Sequence, residues 1–242
     1  MGGLFYNLGR KVGPKVRKVK WMWLSATGSE ADLIAVEYSV GLDLANEIKS
    51  QLGHSGQSQS NQMLSQIGRC LSNCVANRLR RFAFETIQGA EPNAFALPGG
   101  FIFVTQSLID LCRNNQDEVA FILGHEMAHV IRGHAMDRIV SHSAINIASR
   151  VTSVRGPLSG WLKRVGVQFL ESAYSRDMER EADRLGVRLV VAAGYDPKGG
   201  AKLFARLAEL HSHGDPINLG KYFSSHPSFE ARIQNINRLS GK

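Results

Sequence analysis

Cysteine is scarce in this chain: Cys70, Cys74 and Cys112 are the only three in 242 residues. So sparse and odd a set excludes a disulfide framework as the source of stability, and reduced thiols fit a cytoplasmic setting. Cys70 and Cys74 stand four apart in a predicted helix, the wrong pattern for a zinc knuckle, so both are expected to be buried thiols. Long apolar runs are missing too. The strongest, Val119 to Leu123 and Leu189 to Ala193, are bounded by polar or charged residues. Both fall well short of the roughly 20 apolar residues that cross a bilayer, which argues against an integral membrane protein. No apolar stretch of roughly 7–15 residues with a small-residue cleavage site follows the basic N-terminus, so no secretory signal is expected.

A surplus of positive charge is also absent from most of the chain, although the formal charge is +8. Arg10, Lys11, Lys15, Arg17, Lys18 and Lys20 account for most of it, and residues 1–20 hold no acid. The other residues carry 23 basic and 21 acidic groups, which gives little support to a nucleic-acid-binding surface. The sequence divides into a basic, Trp-containing segment, residues 1–24, and a domain, residues 25–242. Cations beside Trp21-Met22-Trp23-Leu24 could hold residues 10–24 against an anionic membrane surface. The plainer alternative is a solvated terminus whose two Trp side chains pack on the domain.

What is present is mainly helical periodicity. Leu33, Val36, Val40, Leu44 and Ile48 predict a helix over 30–52, and a second helix covers about 61–79. Gly53 to Ser60 reads as a loop. Strands are predicted at 82–87, 94–97 and 101–105, with Leu97-Pro98-Gly99-Gly100 as a type II turn, giving a small antiparallel sheet. Helices follow at 106–113, 116–134, 136–151, 158–193, 197–211 and 227–239. Gly194 is placed as a helix C-cap, and Asp196-Pro197 as an N-cap with Pro in the first turn.

The chemistry centres on His125-Glu126-Met127-Ala128-His129. Histidines four apart on a helix project from one face and can meet a single ion, and neutral imidazole suits zinc. Glu126 can take the proton of a water attacking a peptide carbonyl and pass it to the leaving amine. Two helix-surface histidines beside a glutamate remain the alternative, and a catalytic zinc needs a third protein ligand. Glu179 and Asp183, one turn apart in a predicted helix, are candidates for the third ligand and for the acceptor that orients a ligand histidine. Glu181 points elsewhere and is the weaker choice. Among Arg176, Arg180 and Arg184, Glu179 could equally be an ordinary surface carboxylate.

Taken together, His125–His129, Ser175-Arg176 ahead of Glu179 and Asp183, and Asn93-Ala94-Phe95-Ala96-Leu97-Pro98-Gly99-Gly100 resemble the CAAX-prenyl-protease/HtpX-like family of zinc metallopeptidases. Within it, the chain is most similar to the compact branch with the bacterial beta-barrel-assembly-enhancing protease and the mitochondrial inner-membrane quality-control protease. The similarity runs in order from about residue 65 to 235. It implies an α+β, mainly helical, zincin-like (gluzincin) fold with one zinc per chain. His125, His129 and Glu179 would be its ligands and Glu126 the catalytic base.

It also implies that the strand with Asn93, Ala94 and Phe95 flanks the cleft, where it could pair with an extended substrate. Asn93 as a turn residue and Phe95 as a core aromatic are equally open. Ser224-Ser225-His226-Pro227, followed by Arg232, matches the family's late His-Pro segment. His226 could stabilise an oxyanion, cap the zinc in a resting state, or merely start a helix. Arg232 is expected to position that segment. His134, five residues past His129, is read as a bystander, and His54, His142, His211 and His213 have no supporting context.

The function expected is a zinc endopeptidase acting on unfolded or misassembled proteins, with protein or peptide substrates and no nucleic acid. The alternative is a catalytically silent zinc-binding scaffold that holds a partner protein or membrane surface. Family members often carry transmembrane helices, an export signal or a repeat array, none of which is read here.

Overall fold

A computed structural model describes residues 29–52, 59–142, 173–212, 226 and 229–241. The basic N-terminal segment and the loop predicted at 53–60 lie wholly or mostly outside these residues, as do 143–151 and 158–172 of two predicted helices. Helix α1, Glu30–Leu52, starts where the Ser29 hydroxyl accepts from the Asp32 amide at 3.1 Å. Leu33, Glu37, Val40, Leu44 and Ile48 form its buried stripe. Helix α2, Gln59–Asn73, turns Leu64, Ile67 and Leu71 inward. Cys70 in this helix and Cys74 just past its end correct the expectation of buried thiols: Cys70 is exposed and Cys74 half-buried, because the apolar stripe of α2 runs through 64, 67 and 71 instead. Cys112 is buried, and burial together with the charge of Glu118 pushes its thiol pKa up.

The three predicted strands are β1, Ala83–Ile87, β2, Ala94–Ala96, and β3, Phe101–Thr105. Their order is β1-β3-β2, with β1 parallel and β2 antiparallel to β3. The sheet is therefore mixed, which corrects the antiparallel expectation. The chain runs up, down and up as expected, but β3 inserts between its predecessors, so β1 and β3 become neighbours with the same direction. The turn joining β2 and β3 is as predicted. Gly99 has φ +73° and ψ −1°, the third-position geometry of a type II turn, and the Gly100 amide reaches the Leu97 carbonyl at 3.4 Å.

Strand β3 is buried along its whole length. Phe101 and Phe103 face a core shared with Val40, Leu44 and Ile48 of α1, while Ile102 and Val104 face the larger core. That larger core surrounds helix α4, Gln116–Ile131, which is preceded by α3, Gln106–Leu111. Asn115 caps α4, its side-chain oxygen accepting from the Asp117 and Glu118 amides at 3.0 and 3.2 Å. From Glu118 to Val130 every residue of α4 is buried. Such a helix shows no stripe because it is enclosed on all sides.

Helices α5, His134–His142, α6, Arg176–Ala192, α7, Lys198–Ser212, and α8, Phe229–Ser240, complete the described chain. Helix α6 ends with Gly194 at φ +86°, and the Asp196 carboxylate caps α7 by accepting from Lys198 N at 2.9 Å. Phe204 of α7 meets the Phe121 ring of α4 edge-on at 5.5 Å. No helix among the described residues is long and apolar enough to cross a membrane.

Candidate metal centre

Helix α4 carries His125, Glu126 and His129 into the interior with essentially no solvent exposure. Helix α6 runs against it and presents Glu179 and Asp183 from its own buried face. The Ser175 hydroxyl caps α6 by accepting from Met178 N at 3.3 Å, which places Glu179 within the first turns. His226 also lies buried in the same cluster.

Four ligand atoms, from His125, His129, Glu179 and His226, all lie within 4.8 Å of one another. His125 Nε2 stands 3.1 Å from His129 Nε2 and 3.3 Å from His226 Nδ1. Glu179 Oε1 stands 3.0 Å from His226 Nδ1 and 3.3 Å from His129 Nε2. Donors at the usual zinc distance in a tetrahedron lie about 3.3 Å apart. Hydrogen bonding alone accounts poorly for so many imidazole nitrogens and a carboxylate oxygen aimed at one point. A bound cation accounts for it directly, and the nitrogen and oxygen donors suit zinc.

The electrostatics agree. Burial lowers the His129 pKa to about 4, against opposing contributions from Glu179 and Glu126. Burial and the Arg232 charge lower that of His125. Burial raises Glu179, but His226, Arg232 and His125 outweigh it and hold the carboxyl well below its ordinary range. At neutral pH His125 and His129 are thus neutral and Glu179 is ionised, the states that bind metal.

Asp183 Oδ1 lies 3.0 Å from His125 Nδ1, on the side of the ring opposite the donor cluster. Arg232 donates to both oxygens of Asp183 at 2.7 and 3.1 Å and reaches Glu179 Oε2 at 2.9 Å, with its guanidinium 4.4 Å above the Phe204 ring. Arg232 therefore braces the two acids of α6. Both carboxylate oxygens of Glu126 are buried with no hydrogen-bond partner among the described residues, and Oε1 lies 3.4 Å from His226 Nε2. A buried carboxylate in that condition is costly and calls for water, metal or substrate.

Asn93, Ala94 and Phe95 are divided. Thr105 N donates to the Asn93 carbonyl at 2.9 Å and Leu97 N to that of Phe101 at 2.8 Å. With Phe95 opposite Phe103, residues 93, 95 and 97 bond inward, so Ala94 and Ala96 turn their amides and carbonyls to the outer edge. The Phe95 ring packs on Phe103 at 5.5 Å, the core role left open above.

Two residues escaped the sequence reading. Tyr174 stacks on His129 at 3.9 Å, and its position beside Ser175-Arg176 was the available signal. Arg138 donates to the Ala96 carbonyl at 3.2 Å and lies 4.5 Å over the Tyr174 ring. His134 is not among the four converging donors, but it touches one of their residues. Helix α4 stops at Ile131, Gly133 has φ +76°, and the returning chain sets His134 Nδ1 3.2 Å from His129 Nδ1. His134 Nε2 lies 3.5 Å from Glu181, whose side chain is half exposed.

The chain resembles several metallopeptidases. It is 32% identical to "Mitochondrial metalloendopeptidase OMA1" of Schizosaccharomyces pombe, over 64% of this chain and 46% of that protein. It is 28% identical to "Metalloprotease YcaL" of Escherichia coli, over 88% and 81%, and 30% identical to "Metalloprotease LoiP" of Escherichia coli, over 69% and 66%. The chain spans less than half the length of the mitochondrial relatives. The model of one family runs from residue 57 to 240, through every element that carries a residue of this centre, and the chain belongs to that family, peptidase family M48.

Proposed function

We propose that the chain is a zinc endopeptidase whose metal is held by His125, His129 and Glu179, with Glu126 as general base. Relatives named metalloendopeptidases and the nitrogen and oxygen donors support this reading. When bound, the ion acidifies water and polarises the scissile carbonyl. Glu126 takes the proton of the attacking water and delivers it to the leaving amine. Asp183 keeps the His125 proton on Nδ1, leaving Nε2 free to bind.

An extended substrate pairs with the outward backbone of Ala94 and the Ala96 amide, the Ala96 carbonyl being held by Arg138, a contact that requires little of the substrate's side chains and suits unfolded or misassembled proteins. His226 caps the centre in the resting state, which its Nδ1 among the four donor atoms supports. Release of His226 then opens the position that water needs. Residues 25–242 form the peptidase domain, residues 10–24 give peripheral contact with an anionic membrane, and the compartment is cytoplasmic.

The observation that carries the reading is the buried Glu126 carboxylate, without a hydrogen bond among the described residues, beside four converging donors. Glu126→Gln is expected to retain one zinc per chain and to lose casein hydrolysis, and casein cleavage at the parental rate would overturn it.

A further inference from the structure

We propose that His134, hydrogen-bonded to His129 and facing the Glu181 carboxylate, fixes the tautomer and ring orientation of His129 for metal binding, which makes His134 a positioning residue. The inference rests on His129 being a ligand. His129 Nε2 belongs to the donor cluster, 3.1 Å from His125 Nε2, so it must be free of hydrogen there. The ring proton then sits on Nδ1, which is buried and faces His134 Nδ1 at 3.2 Å. A donor so placed needs an acceptor. His134 accepts with its Nδ1 lone pair, which puts its own proton on Nε2. That atom faces Glu181 Oε2 at 3.5 Å.

The result is a carboxylate, two imidazoles and a metal position in series. Asp183 serves His125 directly, from a fully buried site braced by Arg232. His134 serves His129 at one remove and ends on a carboxylate 46% exposed, where water stabilises the charge. Tyr174, stacked on His129 at an angle of 21°, limits the tilt of the ring. Metal-ligating histidines lose affinity when such partners are removed.

The test is zinc affinity of the whole chain, measured at fixed pH by competition with a chromophoric chelator. His134→Phe keeps a ring against Tyr174 and His129 but removes the acceptor, whereas His134→Asn gives up the ring and returns an acceptor near the Nδ1 position. The Phe variant is expected to bind zinc about 10–100-fold more weakly, with most of the loss recovered by Asn. The reverse order, or parental affinity in the Phe variant, would overturn the proposal.

Circular dichroism of the metal-free variants reports their folding. If the Phe variant does not fold, Glu181→Ala at the exposed end carries the test: a loss of about 3–10-fold is expected, and unchanged affinity overturns the proposal. A parent protein that takes up no zinc would overturn the proposed function as well, whereas a failed variant pattern overturns this inference alone.

Discussion

Gly186 of α6 lies against the backbone of His125 of α4: a methyl group on its Cα would stand 3.0 Å from the His125 nitrogen. Gly124 returns the contact, since its own added carbon would meet the Gly186 carbonyl at 3.1 Å. This close crossing is what brings Glu179 and Asp183 up to the histidines. Gly186→Val should push the helices apart, costing about 1–3 kcal/mol through overpacking. Zinc affinity should fall with it. Urea unfolding and a zinc titration check the two together, and unchanged affinity would show that the crossing is not what sets the site.

Asp183 stabilises one tautomer of His125 and neutralises Arg232. Asp183→Asn can offer His125 a donor instead of an acceptor and leaves Arg232 with one acid fewer. Zinc affinity should drop about 10–100-fold. Calorimetric titration of the folded variant with zinc measures it.

The metal-free protein should be acid-sensitive. His129 has its folded pKa lowered from 6.5 to about 4, so between these values the unfolded chain binds a proton that the folded one refuses. Stability is therefore full above about 6.5 and lost as pH falls toward 4, at up to roughly 1.4 kcal/mol per pH unit for this histidine. His125, lowered in the same direction, adds to it. Thermal melts of chelator-treated protein at pH 7, 6 and 5 should fall in that order. A melting temperature that rises on acidification would contradict the assignment.

Away from the centre, Arg206 holds both oxygens of the buried Glu118 at 2.7 and 2.8 Å and also donates to the Leu111 carbonyl at 2.8 Å. Arg206→Ala strands a carboxylate at the start of α4 and should cost about 3–5 kcal/mol. Adding Glu118→Gln should recover part of that loss. Denaturant melts of the single and double variants decide it.

Much of this was legible in the sequence for local reasons. Helix α1 was readable from its apolar stripe, the Pro98-Gly99 turn from its dihedral demands, and the end of α6 from Gly194, whereas its start at Arg176 was not placed. His125 and His129 needed only helical spacing. Glu179 needed the family resemblance, because alone among arginines it looks like any surface acid. The contact of His134 with His129 was not legible because the spacing argument assumes an unbroken helix, and α4 breaks at Gly133. Sheet order was misread because strand direction is sequential, whereas adjacency is decided by which strand inserts between the others.

The sequence by itself determined most helical segments and the placing of His125, Glu126 and His129 on one helix, since period and residue chemistry act over a few neighbours. Tertiary structure decided which distant groups serve them. Arg232 lies 49 residues beyond the Asp183 it binds, and His226 lies 101 beyond His125. Such contacts join segments far apart in the chain, and the close approach of α4 and α6 at Gly124 and Gly186, which brings His125 beside Asp183, exists only once those helices face each other.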